Sequence, residues 1–257
     1  MKFKVATIFF ITTLICISIG CFAKSLSFFY LFIPFFIWSL LTIFGAFEIR
    51  FNYFLKAFHS AGKTTDRIIS LTFDDGPTEF TPRILEILKK NNAKATFFCI
   101  GKQINQSPEN LQKIHQLGHL IGNHTYHHSP KNGFYSTDKI IQEILTTNQI
   151  IEQIISVKTN IFRPPFGVTN PHIARALRRT KHHVIGWDVR SLDTVIDDEK
   201  RLFDRITRQI KPGSIVLLHD TSDKTANVLA QLFVFLQKEN YKVVPLDELL
   251  KIDVYEN

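Results

Sequence analysis

Hydrophobic and polar positions divide the chain sharply near residue 47. Almost everything before Glu48 is apolar or aromatic, whereas from Glu48 onward apolar and charged residues alternate as in a soluble domain. The first apolar block runs from Val5 to Phe22 and the second from Leu26 to Phe47, about 18 and 22 residues. Roughly 20 are needed to cross a bilayer's hydrocarbon, so each block can span it. Only Ala23, Lys24 and Ser25 separate them. The pattern therefore predicts a two-span hairpin over 1–47, a linker over 48–66 and a large domain over 67–257. Pro34 and Trp38 are compatible with lipid-buried helices. A competing reading takes Met1 to Ala23 as a signal peptide, because Lys2 and Lys4 precede the apolar run and Cys21-Phe22-Ala23 weakly resembles a cleavage site. Lipidation at Gly20-Cys21 is disfavoured by Ser18, where a large aliphatic residue is usual.

From Arg67 the chain alternates short apolar runs with longer amphipathic ones, the pattern of strand and helix units around a parallel sheet. Seven strands are expected: Ile68 to Phe73, Ala95 to Ile100, His119 to Gly122, Asn160 to Arg163, His183 to Trp187, Ser214 to Leu218 and Lys242 to Pro245. Helices are expected from Pro82 to Lys90, Thr137 to Ser156 and Thr225 to Asn240, where apolar residues recur at three- and four-residue spacing. Thr81-Pro82, Ser107-Pro108 and Asn170-Pro171 each pair a side-chain acceptor at a cap with a proline suited to the first turn. No glycine-rich phosphate-binding turn follows any strand, so the expected α/β fold is a distorted (β/α)7 barrel rather than an open doubly wound sheet.

Composition narrows the function classes only slightly. The formal charge of +8 favours anionic surfaces, such as lipid headgroups or an acidic polymer. The basic residues are scattered through amphipathic helices instead of forming runs interleaved with aromatics, so nucleic acid is not an expected partner. Cys16 and Cys21 lie in the first apolar block and Cys99 in a strand pattern, which suggests neither a disulfide framework nor a cysteine metal site.

Candidate chemistry collects at the C-terminal ends of the expected strands, where barrel active sites are built. The segment Leu71 to Pro77 ends a strand with Asp74 and Asp75. On an extended backbone these point apart, so one can bind a metal while the other faces a substrate as a base; the alternative is a solvated Asp-Gly turn. His124 and His128 are spaced to meet on one side of a helical turn, and two imidazoles with a carboxylate make a facial ligand set that leaves positions open. His127 and His128 can equally be surface residues. Arg163 stands before a stiff double-proline turn, placed to hold a carboxylate or to form a structural salt bridge. Gly186 to Asp193 and Ile215 to Asp220 each follow an apolar run directly. A histidine ending a buried strand beside an acid suits a general acid, or else is a core histidine bonded to a carbonyl.

In this order the five clusters resemble the NodB-type polysaccharide deacetylases, carbohydrate esterase family 4. The likeness covers about residues 67 to 250 and rests on Thr72 to Pro77, His124 to His128, Arg163 to Gly167 and Leu217 to His219. It implies a distorted barrel in which Asp75, His124 and His128 hold a divalent ion, usually zinc, with Co2+, Mn2+ or Ni2+ as substitutes. The ion would bind the acyl oxygen and a water. By the same resemblance Asp74 is the general base, oriented by Arg163, and the backbone N–H of Phe166 helps to stabilise the oxyanion. His219 is then the general acid, tuned by Asp193, and Leu217 lines the pocket for the acyl methyl group. Two positions depart from the family pattern: Thr194 stands where tryptophan is common, and Arg190 where an acid is frequent.

The expected activity is therefore removal of N-acetyl groups from amino sugars, N-acetylglucosamine in peptidoglycan or another surface polysaccharide, with no obligate protein partner. A deacylase or deformylase of a lipid-linked sugar is the nearest alternative, followed by an esterase on acetylated xylan. A non-catalytic glycan-binding module and a purely structural membrane protein are the readings from other classes. The expected location is the cytoplasmic (inner) membrane. Lys2, Lys4, Arg50, Lys56 and Lys63 outnumber Lys24, which favours both ends inside. An external cell-wall substrate favours the opposite side, so the side is left open.

Overall fold

The computed structural model of the protein describes residues 2–256. The apolar N-terminus forms two helices, α1 (Lys2–Phe22) and α2 (Phe32–Phe47), joined through a short 3-10 turn at Phe28–Leu31. They pair as an antiparallel hairpin: Phe10 stacks on Trp38 with ring centroids 5.0 Å apart, and the Trp38 indole donates to Thr7 Oγ1 at 3.2 Å. The apolar stretches, 21 residues over Lys2–Phe22 and 20 over Phe28–Phe47, are long enough by length and composition to cross a membrane.

The rest folds around one parallel sheet. Its strands are β1 (Ala57–Phe58), β2 (Ile68–Asp74), β3 (Thr96–Cys99), β4 (Leu120–Asn123), β5 (Ile161–Phe162), β6 (His183–Ile185), β7 (Val189–Arg190), β8 (Ile215–His219) and β9 (Lys242–Val243). The hydrogen-bonded order is β1-β6-β5-β4-β3-β2-β8-β7, with β9 pairing the start of β2. The sheet curls into a half-barrel, an α/β architecture, with β1 and β7 ending the order among the described residues. The helices are α3 (Thr81–Lys90), α4 (Gly101–Gln106), α5 (Pro108–Gln116), α6 (Thr137–Ile155), α7 (Pro171–Thr180), α8 (Glu199–Thr207), α9 (Asp223–Lys238) and α10 (Leu246–Leu250).

Strand β2 lies between β3 and β8 and explains much of the core. Side chains alternate across a strand. Ile69, Leu71 and Phe73 pack with Ile84 and Leu88 of α3 and Leu229 and Leu232 of α9. Ser70, Thr72 and Asp74 face the other way, and the hydroxyls of Ser70 and Thr72 donate to the carbonyls of Val244 and Val216. The Ser70 and Thr72 hydroxyls thus line the inner side of β2 with their hydrogen bonds made.

Three sequence expectations change. The stretch 48–66, expected as a linker, contributes β1 to the sheet and buries Ile49, Tyr53, Phe54 and Ala57. The half-barrel has nine strands among the described residues rather than seven, the additions being the two-residue strands β1, inside the expected linker, and β7. Of the three proline-marked helix starts, only Asn170 caps with its side chain, accepting from the Ile173 N–H at 2.9 Å. The Thr81 hydroxyl instead accepts from Thr78 N–H and donates to Asp220, while Ser107 makes no side-chain cap.

Candidate active site

At the end of β2 the chain turns sharply: Asp74 completes the strand and Asp75 has φ 73°, in the left-handed region. The two carboxylates diverge through this kink and not through an extended backbone, the first correction to the expected geometry. The second concerns the histidines. His124 to His128 form a loop after β4, not a helical turn, with Thr125 at φ 65° and His128 at φ 49°. The loop nevertheless brings the imidazoles together, with ring centroids 4.7 Å apart.

One ligand atom each from Asp75, His124 and His128 lie within 4.8 Å of one another. Asp75 Oδ1 is 3.5 Å from His124 Nε2 and 3.4 Å from His128 Nε2, and it is buried without a hydrogen-bond partner. A buried carboxylate oxygen left unpaired is costly, and a divalent cation between these three atoms would satisfy it. The donor set, two imidazoles and one carboxylate, suits zinc and leaves room for further ligands. His124 Nδ1 lies 2.7 Å from the Arg163 carbonyl, which as acceptor fixes the tautomer with Nε2 free towards Asp75. Burial and the neighbouring His124 hold His128 down at about 4, so its imidazole is neutral at neutral pH. Burial opposes ionisation of Asp75, but the surrounding imidazoles outweigh it and keep the carboxyl well below the usual range.

Behind this set lies a fully buried cation. Arg163, just past β5, is 0% exposed and has its guanidinium bonded on all sides. Nη1 donates to Asp74 Oδ1 at 2.7 Å and Thr72 Oγ1 at 2.8 Å, Nη2 to the Gly186 carbonyl at 2.9 Å, and Nε to the Ile185 carbonyl at 3.2 Å. The Phe98 ring lies 4.2 Å below it. Asp74 therefore has one oxygen tied to Arg163 and the other, Oδ2, 3.7 Å from His124 Nε2.

Across the cavity His219 ends β8. Its Nδ1 lies 2.7 Å from Asp193 Oδ1 and its Nε2 3.8 Å from Asp75 Oδ2. Asp193 is held by Ser191 Oγ, the His219 N–H and Thr225 Oγ1, at 2.8, 2.8 and 2.9 Å. Burial pulls the His219 pKa down, but the hydrogen bond and charge of Asp193, aided by Asp74 and Asp75, raise it to about 9. Leu217 and Phe166 complete the lining of a cavity of about 300 Å³, together with Trp187, Arg190, Thr194 and Val195. Phe166 has φ 59° and packs 4.6 Å from the His128 ring.

The structure brings all nine expected positions together: Asp74, Asp75, His124, His128, Phe166, Leu217 and His219 line the cavity, while Arg163 and Asp193 lie buried behind it against Asp74 and His219. Sequence reasoning passed over Thr225, which braces Asp193, and Glu143 of α6. The buried Glu143 carboxylate accepts from the Tyr126 and His127 N–H groups at 3.2 and 2.9 Å and from His127 Nδ1 at 2.9 Å. It thus ties down the loop between the two histidines. The signal was present: an acid in the buried stripe Ile140, Glu143, Ile144, Thr147 of an amphipathic helix.

Residues 61–185 match the polysaccharide deacetylase family. Among curated proteins, the chain is 31% identical over 194 residues to the peptidoglycan-N-acetylmuramic acid deacetylase PdaA of Bacillus subtilis, covering 74% of this chain and 73% of that one. It is 31% identical to a peptidoglycan-N-acetylglucosamine deacetylase of Bacillus cereus, covering 72% and 89%. The solved structure of B. subtilis PdaA, described as a family 4 carbohydrate esterase, superposes with a TM-score of 0.70 at 29% identity, over 83% of this chain and 89% of that one. A family 4 pseudoenzyme from Bacillus anthracis is also similar, with a TM-score of 0.68 at 32% identity, over 73% and 66%. The chain belongs to the polysaccharide deacetylases of carbohydrate esterase family 4, enzymes acting on the amide bonds of N-acetylated sugars.

Proposed function

We propose that the protein is a metal-dependent N-deacetylase of peptidoglycan or a related surface glycan, acting on N-acetylglucosamine units. The observation that carries this reading is the facing arrangement of two half-sites across one cavity. On one wall Asp75, His124 and His128 converge on a point; on the other His219 presents Nε2 towards it, oriented from behind by Asp193.

Asp75, His124 and His128 hold the ion, which when bound supplies Lewis-acid polarisation of the acetamido carbonyl and activation of water. Asp74, steadied by Arg163, takes the proton of the attacking water as general base. The Phe166 N–H donates to the oxygen that gains charge, and His219 Nε2 passes its proton to the departing nitrogen. Leu217 bounds the space for the acyl methyl group. The presence of every candidate acid, base and ligand supports catalysis over a purely glycan-binding role.

Arg190 favours a second reading of the sugar. Its guanidinium sits 5.8 Å from the Trp187 ring and lines the cavity, where a cation would pair with the lactyl carboxylate that N-acetylmuramic acid bears when it carries no stem peptide. The relative PdaA is named for that sugar. The hairpin α1–α2 serves in this reading as a membrane anchor, supported by its length and by outward-facing side chains such as Phe9, Phe22 and Phe47, all exposed.

The deciding experiment uses the full chain in detergent, since β1 lies before residue 60. Stripped of metal and reloaded with zinc, it is expected to release acetate from N-acetylglucosamine oligomers or muropeptides, with Asp75→Ala losing at least ~10³-fold because the ligand set is broken. Because muropeptides carry both sugars, the site of the freed amine in the product, on glucosamine or on muramic acid, identifies the sugar. A zinc-loaded protein that deacetylates neither would refute the reading and turn attention to lipid-linked sugars. A second outcome follows from Glu143: Glu143→Gln is expected to weaken zinc binding about 10- to 100-fold by loosening the histidine loop, measured by competition with a chromogenic chelator.

A further inference from the structure

The loop that carries Phe166 does not end in solvent. Three residues on, Thr169 is 2% exposed and bonded to the last turn of α2. Its N–H donates to the Ala46 carbonyl at 2.9 Å and its Oγ1 to the Gly45 carbonyl at 3.3 Å. A helix leaves its last four carbonyls without intrahelical partners, and at a membrane boundary water normally takes them. Here two of the four are taken by the active-site loop.

The contact is built from both sides. A Cβ on Gly45 would come within 2.3 Å of the Tyr53 ring, so glycine is what lets Tyr53 lie against the helix end. Tyr53 is further held by the Phe3 N–H to its carbonyl at 3.0 Å, and it shares a buried cluster with Phe54 and with Ala174 of α7. Ile49, two residues beyond α2, packs where a Cβ on Gly186 would meet it at 3.2 Å, and the Gly186 carbonyl is one that Arg163 uses. The loop itself depends on outside support. Phe166 and Gly167 both have positive φ, at 59° and 70°, and only the Gly167 and Val168 N–H bonds to the Pro164 and Pro165 carbonyls, at 3.0 and 3.1 Å, hold the turn from within. A non-glycine residue at positive φ persists where its surroundings enforce it.

We propose that the exit of the apolar hairpin is a positioning part of the active site: the Gly45 and Ala46 carbonyls hold Thr169, and Thr169 sets the direction of the Phe166 N–H. The hairpin is then more than a tether, because the way α2 seats against the domain reaches the reacting atoms through three residues of chain, at most about 10 Å. Thr169 is a positioning residue and touches no substrate. The proposal rests on the deacetylase reading for its kinetic consequence but not for its structural one.

The test compares wild type, Thr169→Val and Thr169→Ser as full chains in lipid nanodiscs. Valine keeps the branched shape and removes only the Oγ1 bond. Expected for valine are a three- to tenfold fall in kcat with KM and zinc affinity within twofold of wild type, and recovery of kcat with serine. Hydrogen–deuterium exchange of the 164–169 segment should rise about fivefold, with 74–75 and 124–128 unchanged. Unaltered exchange over 164–169 in the valine variant would overturn the proposal, as would a kcat equal to wild type in an active enzyme. If wild type deacetylates no amino-sugar substrate, the functional reading fails, and the exchange result alone decides whether α2 positions the loop.

Discussion

Replacing His219 with glutamine is expected to lower kcat for amide substrates by about 10³, within the range general acid–base groups supply. Zinc affinity should stay within a few-fold of wild type. The imidazole cannot turn away, because its Nδ1 is tied to an Asp193 carboxylate that Ser191, the His219 N–H and Thr225 hold in place. Its Nε2 is thereby aimed across the cavity. An amide nitrogen leaves poorly as an anion, so bond breaking waits on a proton; the phenolate of an aryl acetate leaves unaided. Single-turnover rates on both substrates therefore discriminate. A loss near 10³ on the amide with a loss under tenfold on the aryl ester identifies the acid. Equal losses on the two would show that glutamine merely distorts the cavity, and full activity on the amide would remove His219 from the reaction.

Arg163→Met is expected to destabilise the fold by about 3–5 kcal/mol, the usual cost of stranding one member of a buried ion pair. Methionine fills much of the space between Phe98 and Trp187 but offers no donor. Asp74, Thr72 and the Gly186 and Ile185 carbonyls would each lose a partner inside a wall with no solvent. Denaturant titration of the full chain reads the loss directly. Asp74→Asn added to the same chain should recover part of it, since the stranded charge is then gone, with a coupling of order 0.5–3 kcal/mol. Arg163→Lys is not expected to restore stability, because a single ammonium cannot meet acceptors set around a planar fork. Strict additivity of the two losses would mean that Arg163 serves packing and does not hold Asp74.

Particular residues show how far the sequence carried. Strands β2 and β8 were legible because five or more apolar-rich residues ran into a polar cluster, and those clusters supplied Asp74, Asp75 and His219. The amphipathic stripes of α6 and α9 were equally plain. The short strands β1 and β7 were not: neither lies in an apolar run of its own, and β1 owes its place to pairing with β6 rather than to any local preference. The histidine spacing suggested a helical turn, whereas positive φ at Thr125 and His128 makes a loop that reaches the same convergence. Glu143 and Thr169 escaped notice because the bonds that matter reach distant chain, Glu143 to the His127 N–H 16 residues away and Thr169 to the Ala46 carbonyl 123 residues away.

By itself, then, the sequence determined two things: the break between an apolar hairpin and an α/β domain, and the supply of acids, imidazoles and a guanidinium at strand ends. Hydrophobic period and residue chemistry are local properties, so a linear reading reaches them. The family resemblance already implied the Asp75, His124 and His128 set and the pairing of Asp193 with His219; only the tertiary structure decided the turns and distances through which they meet, and that α2 ends against the Phe166 loop. Those relations depend on strand order and on backbone turns of a few residues. Their energies come from burial and from hydrogen bonds that exist once distant segments are brought together.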